Sequence, residues 1–335
     1  MYRKNLGQKI SGLILLAAAA ALLAVHPASA QKRWGSNYFP NIPLTTQDGK
    51  TVHFYDDLVK GKIVAINLIY THCKYACPLE TARLVQVQKM LGDHVGKDVF
   101  FYSISIDPKR DTPPVMKAYM ENYHIGPGWT FLTGKKEDID FLSRKLGLYS
   151  DPRESLDGHT PHLLVGNEPM GQWQRTSGLD NPVFLARTIG EAIDAGNYRK
   201  PAGEKSYAEA AAFKFDKGQY LFARHCAACH SIGHGDKIGP DLLGVADARN
   251  RDWLVRIIQK PEKLLKEKDP LATALFEKYK RVVMPDLRLG DEQTEVLIHY
   301  LVAQSSASNR APSGGDNTGA TKSGNAANQQ PGQAK

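Results

Sequence analysis

The 335-residue sequence has only four cysteines, at positions 73, 77, 226 and 229, and they form two tight pairs. A dispersed disulfide framework is therefore excluded. The sequence also lacks any dense cluster of lysine and arginine, because its net charge of +8 is spread along the chain, so no nucleic acid is expected as a partner. No apolar run reaches the roughly 20 residues that cross a bilayer, which excludes a polytopic membrane protein.

The first 30 residues contain no aspartate or glutamate. A basic stretch precedes an apolar run at 10–25, and the small residues Ala28 and Ala30 follow it. This order is typical of a secretory signal peptide that is cleaved after Ala30. We therefore expect residues 1–30 to be a signal peptide and the mature protein to be periplasmic. A membrane would be involved only if the signal is retained and residues 10–25 act as an anchor.

Residues 36–195 alternate between strand and helix patterns. A hairpin is expected around Asp48-Gly49, and apolar runs at 62–70 and 98–107 predict two buried strands. Helical patterns follow both strands, and a terminal hairpin and a helix over 182–195 close the segment. This alternation predicts an α/β domain with a partly parallel sheet that is covered on both faces.

The rest of the chain has a different composition. Residues 196–207 are rich in glycine, proline and charge, which predicts a linker. Residues 208–304 show three helical patterns and no convincing strand, so they predict a second, all-α domain. Residues 305–335 lack aromatic and β-branched apolar residues and are predicted to be a disordered tail.

The second cysteine pair lies in Cys226-Ala-Ala-Cys229-His230, which is the C-x-x-C-H pattern of covalent c-type haem attachment. In such a site two thiols add to the porphyrin edge, and the adjacent imidazole ligates the iron. A disulfide or half of a zinc site is the alternative, but residues 208–304 hold no other cysteine pair to complete a zinc site. We therefore predict one covalent haem c with His230 as an axial ligand.

The other axial ligand is predicted from the scarcity of methionine. Met284 is the only methionine after position 170, and it precedes a proline in a non-helical stretch. A thioether is a suitable iron ligand, so Met284 is the preferred candidate. The alternative interpretation of Met284 is a residue that fills a gap in the core. The competing iron ligands are His225, His234 and His299.

Residues 208–304 resemble a class I monohaem cytochrome c. The resemblance is carried by the C-x-x-C-H pattern, by Ile238-Gly-Pro-Asp-Leu242 and by Val283-Met-Pro285, in the family order. It implies a small helical fold in which the Gly239-Pro240 loop packs near the haem-binding histidine.

Cys73 and Cys77 are spaced C-x-x-x-C at a predicted strand-to-helix turn. If the turn is helical, residues four apart lie on one face and their sulfurs converge. Two thiolates favour copper(I) or another thiophilic metal, and one imidazole would complete a three-coordinate site. The candidate imidazoles are His72, His159 and His162. An inert disulfide is the alternative, and Lys74 is expected to favour the Cys73 thiolate.

Residues 36–195 resemble the SCO/SenC proteins, which are thioredoxin-like copper-binding proteins of cytochrome c oxidase assembly. The resemblance is carried by Tyr70-Thr-His-Cys73, Cys77-Pro78, Ser105-Ile-Asp-Pro108 with Arg110-Asp-Thr112, and Gly158-His-Thr160. By motif position it implies His159 as the third copper ligand. It also implies copper delivery to oxidase subunit II, or reduction of the cysteines of that subunit. The chain has Lys74-Tyr75 where the family usually has proline after the first cysteine.

The predicted fold is an α/β thioredoxin-like domain followed by an all-α cytochrome c domain. The leading hypothesis is a periplasmic copper-binding protein for cytochrome c oxidase assembly, with copper at Cys73, Cys77 and His159 and a fused electron-transfer haem. Its partner would be oxidase subunit II or another periplasmic redox protein. The alternatives are a thiol-disulfide oxidoreductase, in which Cys73 and Cys77 are catalytic, and a plain electron carrier. A His/Met haem typically has a far higher potential than a dithiol, so electrons are expected to run toward the haem.

Overall fold

The structure is a computed structural model that describes residues 34–35, 37–150, 161–194 and 216–310, with side chains up to 307. The predicted signal peptide at 1–30, the linker at 196–207 and the predicted ligand His159 lie outside these ranges. Within them, no helix is both long enough and apolar enough to cross a membrane.

The amino-terminal domain is built on a seven-stranded sheet. Its strands are β1 (Pro43–Thr46), β2 (Thr51–His53), β3 (Ile63–Ile69), β4 (Val99–Ser105), β5 (Trp129–Thr133), β6 (His162–Asn167) and β7 (Gln172–Ser177). They lie in the order β2-β1-β5-β4-β3-β6-β7. Strands β3, β4 and β5 are parallel, whereas β6 and β7 form the predicted antiparallel terminal hairpin. The β1-β2 hairpin turns at Gly49, whose φ of 78° is the left-handed conformation expected for Asp-Gly.

Helices cover both faces of this sheet. They are α1 (Ala76–Leu91), α2 (Pro113–Asn122), α3 (Lys136–Lys145) and α4 (Pro182–Ile193), with a short π-helix at Phe54–Val59 and a 3-10 turn at Gly92–His94. Helix α1 crosses from β3 to its parallel neighbour β4, and α4 follows the β6-β7 hairpin. This β3-α1-β4 and β6-β7-α4 arrangement is thioredoxin-like, which confirms the predicted fold class.

The pattern of strand β3 explains why the sheet has a core on each side. Ala65 and Ile69 belong to the core beneath α1, α2 and α4, whereas Val64, Ile66 and Leu68 belong to the core that includes α3. Successive side chains of a strand point to opposite faces, so a continuous apolar run serves two cores.

The carboxyl-terminal domain is helical, and residues 216–310 contain no strand. Its helices are α5 (Lys217–His225), α6 (Val245–Ala248), α7 (Arg251–Gln259), α8 (Pro261–Lys266), α9 (Pro270–Lys278) and α10 (Asp291–Arg310). One of the three helical patterns that the sequence predicts, over residues 251–265, forms two helices, because Pro261 has no N–H to continue α7 and instead begins α8.

The last helix extends further than the sequence predicts. We expected the cytochrome c domain to end at 304 and the tail to be disordered from 305, but α10 continues to Arg310. Ser305 is buried, and its hydroxyl donates to the Leu301 carbonyl at 3.0 Å and accepts from the Gly244 N–H at 2.9 Å. These contacts hold the helix against the domain beyond the expected boundary. Residues 311–335 lie outside the described ranges.

Candidate functional site

An apolar cavity in the helical domain brings together the predicted haem residues. Cys226, Cys229 and His230 follow the end of α5 and line this cavity, and Met284 lies on its wall between α9 and α10. The Cys226 carbonyl accepts hydrogen bonds from the N–H groups of Cys229 and His230, at 3.0 and 2.9 Å. This tight turn places both thiols and the imidazole on one wall.

His230 is held in the orientation that an iron ligand needs. Its Nδ1 donates to the Pro240 carbonyl at 2.8 Å, which leaves Nε2 for the metal. Burial lowers the pKa of His230 and so favours the neutral imidazole. The neighbouring Gly239 makes room for the ring, because a Cβ at that position would lie 2.7 Å from the His230 Cε1 atom.

The two thiols of the cavity are enclosed in apolar surroundings. Burial raises the pKa of Cys226 and of Cys229 to about 12, so both are neutral as free thiols. Trp253, Ile257 and Leu297 also line the cavity. A buried thiol at Cys226, a half-buried thiol at Cys229, an imidazole with a free Nε2 and an apolar wall fit haem c. Bound there, that group would supply one-electron chemistry at its iron.

Met284 shares the cavity wall with His230, as its proposed role as the second axial ligand requires. Among the residues that the structure describes, its competitors do not line the cavity; these are His225, His234 and His299. The geometry therefore groups the four predicted haem residues and separates the three alternative ligands from them.

Asp241 organises the loop that follows His230, a role that sequence reasoning missed. Its Oδ1 accepts from the N–H groups of Gly233 and Leu243 at 2.8 Å each, and its Oδ2 accepts from the Ser231 hydroxyl at 2.9 Å and the Gly235 N–H at 2.5 Å. Burial alone would raise the pKa of Asp241, but these donors hold it well below its usual range. The available signal was an aspartate, one of two, within a glycine-rich loop.

Cys73 and Cys77 meet at the carboxyl end of β3. Cys73 lies in the loop after β3, Cys77 lies in the first turn of α1, and both are buried. Their thiols share a hydrogen bond, which is the main reason that the pKa of Cys73 is lowered. Burial opposes this effect, and backbone N–H groups at the start of α1 add to it. Burial raises the pKa of Cys77, so Cys73 is the favoured thiolate.

Lys74, which we expected to favour this thiolate, is not among the main groups that lower the pKa of Cys73. Its ammonium lies 3.1 Å from a carboxylate oxygen of Glu262 in α8. The Cys73 thiolate is stabilised instead by its cysteine partner and by the helix N-terminus. The Lys74 ammonium therefore pairs with a carboxylate of the other domain, whereas the sequence predicted that it would stabilise the Cys73 thiolate.

A buried carboxyl group that the sequence did not reveal lies one turn after Cys77. Glu80 is fully buried, and neither of its oxygens has a hydrogen bond of ordinary geometry within the described ranges. Burial raises the pKa of Glu80 to about 8; the Asn67 side chain opposes the shift and the charge of Cys73 adds to it. A neutral carboxyl group therefore lies behind the cysteine pair at neutral pH.

In the described part of the chain, no three His, Cys, Asp or Glu side chains are placed to hold a metal ion. The predicted ligand His159 belongs to 151–160, outside the described ranges. The sulfur atoms of Cys73 and Cys77 would supply two soft ligands to a copper ion.

The other two candidate imidazoles have different surroundings. His72 accepts a hydrogen bond from Arg110 at 2.7 Å through Nε2, which also lies 3.4 Å from an Asp107 oxygen. His162 is the first residue of β6, and burial lowers its pKa. His72 is thus engaged by the loop after β4.

Two family models match the chain, SCO1/SenC over residues 31–183 and Cytochrome c over residues 215–305. An SCO2-like protein of Rickettsia felis is 33% identical over 133 residues, which cover 37% of this chain and 62% of the relative. The SCO1 protein homolog of Bacillus subtilis is 37% identical over 90 residues, or 26% and 45% of the two chains. The chain therefore spans less than two thirds of the length of either relative. The solved structure of copper-bound ScoI from Arabidopsis thaliana is 24% identical with a TM-score of 0.40, over 47% of this chain and 99% of that one.

The matched ranges coincide with the two sites. The first contains the thioredoxin-like sheet with Cys73 and Cys77, and the second contains the helices around the haem cavity. The chain therefore carries a SCO1/SenC domain at residues 31–183 and a cytochrome c domain at residues 215–305.

Proposed function

We propose that this protein handles copper in the periplasm during assembly of cytochrome c oxidase and that its haem transfers single electrons. The observation that carries the proposal is the buried Cys73–Cys77 thiol pair of a SCO1/SenC domain, in a chain that also holds a full set of haem residues. The pair presents two soft sulfur ligands at one point, and His159 of the family motif would complete a copper site with them. The proposed partner is oxidase subunit II.

Copper binding tests this proposal directly. The chain is produced together with a haem maturation system, and metal and haem are counted per chain. We expect about one copper and one haem. Cys73→Ser and His159→Ala lose the copper and keep the haem, whereas the control His162→Ala keeps both. Full copper retention in Cys73→Ser and His159→Ala would refute the site.

A second function, thiol-disulfide exchange, is favoured by the unequal pKa values of the two thiols. A thiolate at Cys73 beside a neutral thiol at Cys77 is the arrangement of an attacking and a resolving cysteine. Reduction of a disulfide substrate that survives His159→Ala would favour this function over copper handling. Loss of both copper and turnover in that variant would favour the copper protein.

The direction of electron flow follows from the potentials. A dithiol or Cu(I) is expected to reduce the haem, whereas reduction of a disulfide by the haem is strongly uphill. In a stopped-flow experiment, we expect the reduced haem to leave a Cys73–Cys77 disulfide intact. Rapid reduction of that disulfide by the haem in the isolated protein would contradict the assignment.

A further inference from the structure

The haem cavity is closed in part by the SCO1/SenC domain. Pro78, in the first turn of α1, and Tyr123, directly after α2, line the cavity. Its other lining residues within the described ranges belong to residues 226–301. Both Pro78 and Tyr123 are buried. The cavity of the cytochrome c domain therefore has one wall, Pro78 and Tyr123, that the fused domain supplies.

The aromatic half of this wall is held in place by buried neighbours. The Tyr123 ring centre lies 4.6 Å from that of Tyr119, and the Tyr123 N–H donates to the Tyr119 carbonyl at 3.2 Å. The hydroxyl groups of Tyr119 and Thr81, a residue of α1, lie 2.9 Å apart. All three side chains are buried. The ring of Tyr123 is thus a fixed part of the cavity and not a surface side chain that happens to reach it.

The wall is continuous with the cytochrome c domain. Several residues of that domain line the cavity and also pack against the core cluster that contains Tyr119 and Tyr123; these are Cys229, Ile238, Val282 and Leu287. Ala228, which lies between the two cysteines of the C-x-x-C-H segment, is buried in the same cluster. The side of the cavity at Cys229 is therefore covered by the SCO1/SenC domain.

Polar contacts from helix α1 fix the C-x-x-C-H segment against this wall. Gln86 donates from Nε2 to the carbonyls of Ala227 and Ala228 at 3.3 and 3.4 Å. Arg83 donates to the carbonyl of Arg224, at the end of α5. The helix that carries Pro78 thus also binds the backbone of the haem-attachment turn.

A second set of contacts joins the start of α1 to the cytochrome c domain. The Asp286 N–H donates to the Lys74 carbonyl at 3.1 Å, and the Lys74 ammonium pairs with Glu262 at 3.1 Å. The Arg288 guanidinium lies over the Tyr75 ring, 4.7 Å from its centre. These contacts and those of Arg83 and Gln86 form the docking interface, which keeps the wall on the cavity.

We infer that the SCO1/SenC domain completes the haem site, and that Pro78 and Tyr123 hold the reduction potential of the haem above the value that the cytochrome c domain would give without them. The inference rests on the haem part of the proposed function. It requires no metal at Cys73 and Cys77.

The sign of this effect follows from the charge of the iron. When an external reductant adds one electron to a ferric haem with neutral imidazole and thioether ligands, the positive charge of the site falls by one, with no bond broken and no proton moved. Water stabilises the more highly charged ferric form, and burial disfavours it. An apolar wall that excludes water therefore favours the ferrous form and raises the potential.

The test measures the reduction potential of the full-length, haem-loaded chain without copper, by titration in the presence of redox mediators. Haem is first counted per chain. Tyr123→Ala removes the ring from the wall. At an ambient potential equal to the wild-type midpoint, we expect at least a ten-fold higher ratio of ferric to ferrous haem in this variant, which corresponds to a potential lower by about 59 mV or more for one electron.

Two substitutions separate the wall from general damage to the core. Met116→Ala leaves a gap in the same core cluster, but Met116 does not line the cavity. Tyr123→Phe keeps the ring and removes only the hydroxyl group. Both variants should have the wild-type potential.

The docking interface is opened with the double variant Glu262→Lys and Arg288→Glu, which places like charge opposite Lys74 and removes the cation over Tyr75 without changing either core or the net charge. We expect the potential to fall, as in Tyr123→Ala, and the amides of residues 74–86 to exchange hydrogen faster. The matched control is Arg256→Glu with Glu267→Lys, which reverses an exposed ion pair elsewhere in the same domain. It should behave as the wild type.

The outcomes distinguish this inference from the proposed function. Haem-loaded Tyr123→Ala with the wild-type potential would overturn the inference, and so would an open interface variant with faster exchange and an unchanged potential. If Tyr123→Ala does not fold, the interface variant decides the question. A wild-type chain that attaches no haem would instead overturn the haem part of the proposed function.

Discussion

Burial moves the pKa values of His230 and Glu80 in opposite directions, and both shifts leave a neutral side chain beside a candidate site. A buried imidazole resists gaining a proton, whereas a buried carboxyl group resists losing one. For His230 this neutrality suits iron binding. For Glu80 this neutrality lowers the free energy of unfolding at neutral pH, because the same carboxyl group is ionised in the unfolded chain at that pH.

Glu80→Gln is expected to flatten the dependence of stability on pH. The pKa of Glu80 is about 8 in the folded protein, above its ordinary value, so the unfolded chain releases this proton first as the pH rises. The free energy of unfolding therefore falls between the ordinary carboxyl pKa and pH 8, by up to about 1.4 kcal/mol per pH unit, and is level above it. Denaturant unfolding from pH 4 to 9 measures this, with Glu121→Gln, at an exposed site, as control. Parallel profiles for Glu80→Gln and the wild type would contradict the assignment.

Gly239→Ala is expected to disturb iron ligation without preventing haem attachment. The new Cβ would lie 2.7 Å from the His230 ring and would push the ring from its place against Pro240. The haem should remain bound through both cysteines in a denaturing gel, but its absorption spectrum should lose the signature of two strong axial ligands. Gly290→Ala is the control, since nothing lies within 4 Å of a Cβ there. An unchanged spectrum in Gly239→Ala would show that the ring tolerates the contact.

At the scale of elements, the sequence predicted the helices, strands and turns that depend only on residues close together in the chain. The Asp48-Gly49 hairpin, strand β3 and the turn at Cys226 follow from φ preferences, apolar runs and a five-residue pattern. The helix break at Pro261 and the extension of α10 past 304 depend on a missing N–H and on a contact of Ser305 with a distant glycine. The four donors around Asp241 likewise come together only through a loop conformation that periodicity does not encode.

Asp241→Asn is expected to destabilise the loop after His230 in a pH-dependent way. The lowered pKa of Asp241 means that its ionised form stabilises the fold above the ordinary carboxyl pKa and that this contribution is lost as the pH falls through the folded value. Thermal unfolding followed by haem absorbance should show a lower midpoint for the variant at pH 7 and a smaller difference at pH 3. Asp247→Asn, at an exposed position, should unfold like the wild type. A constant difference at both pH values would argue against the charge of Asp241 as the cause.

At the scale of the whole molecule, the chain places two sites of different chemistry on either side of one interface. The sequence predicted both cysteine pairs as sites, because each pair is closely spaced, and the structure brings Met284 to the same cavity as the second pair. It did not predict that Tyr123 and Pro78 line the haem cavity, because that contact joins segments about a hundred residues or more apart.

Export of the whole molecule is testable by its amino terminus. We expect protein recovered from the periplasmic fraction to begin at Gln31, because Ala28 and Ala30 suit a signal peptidase. Mass spectrometry of the intact chain measures this, and Ala28→Lys, which obstructs cleavage, is the comparison. A wild-type chain that retains residues 10–25 and sediments with membranes would instead support an anchored protein.

The low exposure of the two SCO1/SenC cysteines has a consequence for the rate of metal transfer under the proposed copper function. Cys73 is 4% exposed and Cys77 is 0% exposed. Under that function, an acceptor protein could reach these sulfurs only after they are uncovered. The rate of metal release would then depend on how often the segments that cover the sulfurs open. Two sites of equal affinity could therefore release the metal at different rates.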